Sequence, residues 1–151
     1  DKSLRTFITF SNILTVFSQT RGLVKFFKGD RMFELKAQMY FSAAHHLLNY
    51  DGECEHQHGH NWLVEAYVKG ETLDKSNILV DYKVLKREMK AVLDLLDHKD
   101  INELPEFKGE SPSSEMIAMF IYNKLKEKIV QVSKISVWET ATSCASYFEE
   151  E

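Results

Sequence analysis

Apolar and polar residues alternate along two stretches in the middle of the chain and recur at helical spacing along two later ones. Phe33, Leu35, Ala37, Met39, Phe41 and Ala43 alternate with Glu34, Lys36, Gln38 and Ser42, which predicts a half-buried strand. Trp62, Val64, Ala66 and Val68 alternate with Glu65 and Lys69, predicting a second strand that ends at Gly70. Residues 81–96 carry Leu85, Met89, Val92, Leu93 and Leu96 on one helical stripe, with Asp81 suited to the N-cap. Ser111 and Pro112 predict the next helix start, serine as N-cap and proline in the first turn. Its stripe is Met116, Ile117, Phe120, Ile121 and Leu125, ending near Lys128. Residues 135–139 read as a third strand and 145–148 as a short fourth. The order β-β-α-α-β-β predicts an α+β fold, an antiparallel sheet with both helices on one face.

Three histidines follow the apolar parity of the first hairpin. His45 continues the inward series of the first strand, and His58 and His60 share the parity of Trp62 and Val64. Side chains two apart on a strand point to the same face. A hairpin across residues 46–57 then brings three inward imidazoles together. That donor set, with a fourth position open, is the ligand set of a catalytic zinc site. His46 and His56 fall in the loop and read as ordinary loop residues.

The first 31 residues differ from the rest. They are poor in acid, carry Lys2, Arg5, Arg21, Lys25, Lys28 and Arg31, and place Phe7, Phe10, Leu14 and Phe17 at helical spacing. Such an extension suits a packing segment, a start codon placed too early, a transit peptide or a membrane-surface helix. The expected organisation is an N-terminal extension over 1–31 and a catalytic domain over 32–151.

Composition narrows the function classes. The chain has 151 residues, 44% hydrophobic and 28% charged, with net charge −4, an ordinary globular domain rather than a nucleic-acid binder. No apolar run reaches the roughly 18 residues that span a bilayer. Two cysteines, Cys54 and Cys144, are too few for a disulfide framework, so a reducing cytoplasm is the expected location.

Four further features carry candidate chemistry. Cys54 lies four residues before His58, and a thiol near a metal and imidazoles has a lowered pKa that suits a base or nucleophile. Cys144 sits among small residues and reads as packing. Asp97-His98 closes the first helix; it suits either a proton relay or a histidine set against the helix dipole. Glu139 continues the inward parity of Ile135 and Val137, and a carboxylate there needs a partner, either a cation or the paired N–H donors of a ligand. Ser113, Ser114 and Glu115 read as capping residues.

Together these residues resemble the 6-pyruvoyl-tetrahydropterin synthase family, including its bacterial branch, the 6-carboxytetrahydropterin synthases of queuosine biosynthesis. The resemblance runs from about Met32 to Phe148 and is carried by FSAAH (41–45), Cys54-x3-HGHN (54–61), LVDYKVLK (79–86), LDHKDIN (96–102), SPSSE (111–115) and VWETATS (137–143). It implies Zn2+ on His45, His58 and His60, with Cys54 as catalytic base and Asp97 and His98 as a proton relay. Glu139 would anchor the pterin ring, helped by Ser113 and Ser114. The implied fold is the tunnelling fold, whose subunits join into barrels, commonly a homohexamer of two trimers. Active sites there lie between subunits, so Asp97 and His98 would serve a neighbour's Cys54.

The implied substrate is 7,8-dihydroneopterin triphosphate. The three-residue gap between Cys54 and His58 resembles the queuosine enzymes, which release acetaldehyde and triphosphate and leave a 6-carboxy product. The pyruvoyl synthases, which eliminate triphosphate, are the alternative. Glu55, three before His58, resembles a third branch that cleaves the dihydroneopterin side chain toward folate. His46 departs from the arginine that many members carry. A non-enzymatic reading, an inactive zinc-binding assembly subunit, is set against these.

Overall fold

Strict alternation over a long stretch produces long strands, and the two strands of the first hairpin are the longest strands of the fold. The computed structural model describes residues 31–150, together with three short strand segments upstream. The chain divides into two compact units, Asp1–Met32 and Phe33–Glu151. In the first, strands β1 (Thr9–Phe10), β2 (Ile13–Thr15) and β3 (Lys25–Phe27) pair antiparallel in that order. Phe10 and Leu14, read at helical spacing, thus lie in strands, in keeping with the β-branched residues Thr9, Ile13 and Thr15 around them. Phe7 and Phe17 lie outside the described residues.

The second unit holds β4 (Phe33–His45), β5 (His58–Gly70), α1 (Tyr82–Leu93), α2 (Ser114–Lys126), β6 (Val132–Thr140) and β7 (Ser143–Tyr147). The four strands form one antiparallel sheet in the order β4-β5-β6-β7. This is the α+β arrangement the periodicity predicts. The β4–β5 ladder is unbroken from Phe33 opposite Gly70 to His45 opposite His58.

The inward face of the sheet meets both helices. Trp62, Val64, Ala66 and Val68 of β5 and Ile135 and Val137 of β6 are fully buried. Leu85 and Met89 of α1 and Ile117, Ile121 and Leu125 of α2 cover them, at the i, i+4 spacing that puts a stripe on one helix face. Phe41 and Trp62, directly opposite on β4 and β5, stack with centroids 5.9 Å apart. Asp81 caps α1, its Oδ1 accepting from Lys83 N at 2.7 Å. The helix ends at Leu93, three residues before the predicted end, and the buried Leu96 packs from the following turns.

One helix boundary differs from the sequence reading, with a consequence for the site. Helix α2 begins at Ser114 with Ser113 as its N-cap, accepting from Met116 N at 3.4 Å. Ser111 is not the cap, because its hydroxyl clamps the other loop: it accepts from Leu48 N at 2.7 Å and donates to Leu48 O at 3.2 Å. Pro112 stays outside the helix, and its carbonyl is free to accept from a side chain.

The opposite sheet face has no helix over it among the described residues and carries one buried charge. Glu65, 6% exposed, accepts from Lys36 Nζ at 2.8 Å and Gln38 Nε2 at 2.6 Å through Oε1. Its Oε2 accepts from Tyr67 Oη at 2.9 Å and Trp138 Nε1 at 3.2 Å. Burial alone would raise the Glu65 pKa; these four bonds, led by Lys36, overcome it and hold the carboxyl at about 2. One side chain thereby ties together β4, β5 and β6.

Candidate active site

The register of the first hairpin builds the site. Because His45 faces His58 directly across the ladder, and His60 follows two residues on, the three rings share the inward face at one end of the sheet. Ring centroids are 4.6 Å apart for His45–His58, 5.4 Å for His45–His60 and 4.9 Å for His58–His60. Trp62 supports two of them edge-on, at 4.9 Å from His45 and 5.1 Å from His60.

Hydrogen bonds decide which nitrogen each ring offers. His45 Nδ1 lies 2.8 Å from the Pro112 carbonyl oxygen, and His58 Nδ1 lies 2.7 Å from that of His56. A carbonyl only accepts, so each Nδ1 carries the proton and each Nε2 presents a lone pair. This is how a backbone carbonyl orients a metal-binding imidazole. The displaced start of α2 is what supplies the Pro112 oxygen. Burial pushes the pKa of both His45 and His60 below 6.5, keeping them in the neutral form that binds cations.

Glu139 completes a four-donor group. Its Oε1 lies 3.1 Å from His60 Nε2 and 3.6 Å from His45 Nε2, and its Oε2 accepts from Ser114 Oγ at 2.9 Å. The donor atoms of His45, His58, His60 and Glu139 all fall within 4.8 Å of one another. His45 Nε2 and His60 Nε2 are nonetheless buried without an aligned hydrogen-bond partner. Unsatisfied buried nitrogens are costly; a cation bound among them would remove that cost. The donor set therefore fits a divalent metal of the kind that imidazole and carboxylate share.

Cys54 lies beside this group. It occupies a short 3-10 turn, Glu53–Glu55, and its carbonyl accepts from Leu47 N at 2.8 Å. A cavity of about 240 Å³ is lined by His45, Cys54, Ser113, Ser114, Glu139 and Cys144, among others. Glu55, next in the same turn, is exposed and is not among its lining residues. The two candidate serines have structural duties as well, Ser113 capping α2 and Ser114 donating to Glu139.

Asp97 and His98 are firmly posed but elsewhere. Asp97 Oδ1 accepts from Ser42 N at 2.8 Å, and its Oδ2 lies 2.9 Å from His98 Nδ1. His98 N donates to Ser42 O at 2.6 Å. The Ser42 N–H, and then His98, lower the Asp97 pKa below 3.8. His98 adopts φ +56°, a left-handed conformation uncommon for a side chain of its size, and its ring is 81% exposed. It lines a different recess with His60, Asn61 and Lys99, and the two cavities share no residue. Within one chain, then, the pair does not meet Cys54.

One feature of the site leaves no trace in the alternation pattern: the Pro112 carbonyl, since a backbone acceptor leaves no residue-type signal. Cys144, read as packing, is exposed; it sits opposite Trp138 on β7, on the parity of the exposed Ser146 rather than of the half-buried Ala145 and Tyr147. His46 is a loop residue as read, its N–H and carbonyl bonded to the Asn102 amide.

Comparison with known proteins agrees with this geometry. The family model for 6-pyruvoyl tetrahydropterin synthase matches residues 34–150. A 6-carboxy-5,6,7,8-tetrahydropterin synthase of Synechocystis sp. is 34% identical over 123 residues, covering 78% of this chain and 94% of the relative. The enzyme of the same name from Haemophilus influenzae is 31% identical over 141 residues, covering 78% and 100%. The structure of Caenorhabditis elegans 6-pyruvoyl tetrahydropterin synthase superposes with a TM-score of 0.73 at 27% identity, covering 80% of this chain and 97% of that one. By the extent of these matches and the fold they share, the chain belongs to the 6-pyruvoyl tetrahydropterin synthase family.

Proposed function

We propose that the protein is a zinc-dependent pterin synthase acting on 7,8-dihydroneopterin triphosphate, a lyase whose product is 6-carboxy-5,6,7,8-tetrahydropterin. The observation that carries this reading is the convergence of His45, His58, His60 and Glu139 on one donor group, with Cys54 lining the cavity that His45 and Glu139 also line. The names of the Synechocystis and Haemophilus relatives support the carboxy product, as does the short gap between Cys54 and His58.

His45, His58 and His60 would hold the zinc. Bound there, it acts as a Lewis acid that makes C–H bonds beside substrate hydroxyls more acidic. Cys54, half-buried at the cavity wall, is the base that accepts such a proton as thiolate. Glu139 accepts from the paired N–H donors of the pterin ring edge, with Ser114 holding the second oxygen in place. Ser113 and Ser114, in the same cavity wall at the start of α2, help hold the pterin.

Asp97 and His98 complete the relay from a neighbouring subunit. Their separation from Cys54 within the chain, and the exposed, strained pose of His98, suit a group presented to another copy. The assembly is accordingly a homo-oligomer, a hexamer of two trimers, with active sites between subunits. The protein works in the cytoplasm, without nucleic acid or membrane as partner.

Glu55 is not part of the cavity wall, which favours Cys54 over the folate-type side-chain cleavage. The test is to incubate zinc-loaded protein with 7,8-dihydroneopterin triphosphate and identify products by mass spectrometry, with acetaldehyde assayed in parallel. Carboxytetrahydropterin with equimolar acetaldehyde is expected. A pyruvoyl product without acetaldehyde would refute the carboxy assignment, and a protein inert toward every dihydroneopterin would refute the enzymatic reading.

A further inference from the structure

The loop that carries Cys54 has no core of its own. Between β4 and β5, none of residues 46–57 is buried, so apolar packing does not fix where the thiol stands. Hydrogen bonds from one neighbouring stretch, residues 99–112, do that instead.

The main chain of the first three loop residues is claimed in alternation by two sets of partners. His46 N donates to Asn102 Oδ1 at 2.9 Å, and His46 O accepts from Asn102 Nδ2 at 3.0 Å. Leu48 N donates to Ser111 Oγ at 2.7 Å, and the same hydroxyl donates to Leu48 O at 3.2 Å. Between them, Leu47 N donates to Cys54 O at 2.8 Å. Residues 46–48 are thus a strap, gripped at both ends by side chains and holding the Cys54 turn from its middle. Leu47 lines the same cavity as Cys54, His45 and Glu139.

The two gripping side chains are firmly mounted. Asn102 lies in the 3-10 turn Ile101–Glu103, where Ile101 is fully buried and the Asp100 cap accepts from Asn102 N at 3.1 Å. Ala44 N, near the end of β4, donates to Lys99 O at 2.9 Å. Ser111 precedes the buried Pro112, whose carbonyl oxygen lies 2.8 Å from His45 Nδ1. One dipeptide therefore holds the loop of Cys54 and orients a metal-binding imidazole.

We propose that Asn102 and Ser111 are positioning residues for Cys54, a two-point clamp that holds its turn at the cavity through the strap 46–48. Resting on the reading of Cys54 as base, the clamp contributes orientation alone, since neither side chain lines the cavity. A misplacement of about 1 Å costs about 100-fold in rate. Glu139, Ser113 and Ser114 lie outside the strap, so substrate binding survives its loosening.

The experiment compares the full zinc-loaded chain with Ser111→Ala, Asn102→Ala and Ser111→Thr. It reads zinc content, kcat and KM on 7,8-dihydroneopterin triphosphate, and hydrogen–deuterium exchange of residues 46–57. Each alanine variant is expected to keep its zinc and lose about 10- to 100-fold in kcat, with KM within about twofold of wild type. Threonine, which retains the hydroxyl, restores most of the rate. Exchange rises across the Cys54 turn in both alanine variants, although neither substitution touches that turn. Ser111, half-buried, carries the test should Asn102→Ala fold poorly. Wild-type kcat in Ser111→Ala, a loss confined to KM, or a kcat that falls only in step with lost zinc would overturn the proposal. Exchange needs no turnover: an unsubstituted chain that turns nothing over refutes the catalytic reading, and unchanged exchange at 46–57 in Ser111→Ala refutes the clamp.

Discussion

Replacing Glu65 with glutamine tests whether one carboxylate on the uncovered sheet face pins three strands. The carboxyl is held from an ordinary 4.5 down to about 2, which at about 1.4 kcal/mol per pH unit corresponds to about 3 kcal/mol. Lys36 is 44% exposed and regains water when its partner is neutralised, so the net loss is nearer to about 2 kcal/mol. For a unit of this size that lowers the melting temperature by about 6–10 °C. The pH dependence is the sharper signature. Because the folded carboxyl titrates below the unfolded one, its contribution is complete above about pH 4.5 and is lost as pH falls toward 2. Urea unfolding of wild type and Glu65→Gln at fixed protein concentration, from about pH 7 to pH 3, measures the gap between them. The gap is constant down to about pH 5 and more than half gone by about pH 3. A gap that stays the same throughout would show that ionisation of Glu65 contributes nothing to the difference, and would refute the argument.

Two other substitutions separate structural from chemical duties. Asp97→Asn keeps an acceptor for Ser42 N but reverses the proton demand on His98 Nδ1; turnover falls about 100-fold while zinc content, read by elemental analysis, stays at wild-type level. Ser113→Ala removes the cap of α2 and lowers stability by about 1 kcal/mol in thermal melts, with the metal retained.

Much of this site is legible in the amino-acid sequence, for a physical reason. Period-two alternation sets which face a residue occupies, and His45, His58 and His60 each inherit the parity of an apolar series; the ladder then places them together. The same reasoning locates Glu139 on the inward face. Boundaries are less legible where a side chain has a better offer: Ser111 looks like an N-cap, but Leu48 claims its hydroxyl and Ser113 takes the role. Glu65 reads as one more outward polar residue, since alternation does not report that Lys36, Gln38, Tyr67 and Trp138 converge on it. The packing reading of Cys144 fails because alternation along β7 puts it, with Ser146, on the exposed parity opposite Trp138, while Ala145 and Tyr147 take the half-buried one. The separation of Asp97–His98 from Cys54 is a matter of chain geometry that the family resemblance anticipates and periodicity alone does not.

The central claim is that three histidines hold a metal which the chain uses together with Cys54. Zinc stoichiometry and turnover of dihydroneopterin triphosphate, measured side by side on wild type, Cys54→Ala and His60→Ala, test it most directly. The account predicts about one zinc per chain in wild type and Cys54→Ala, little in His60→Ala, and turnover in wild type alone. Full turnover by zinc-stripped wild type, or by Cys54→Ala, would contradict it.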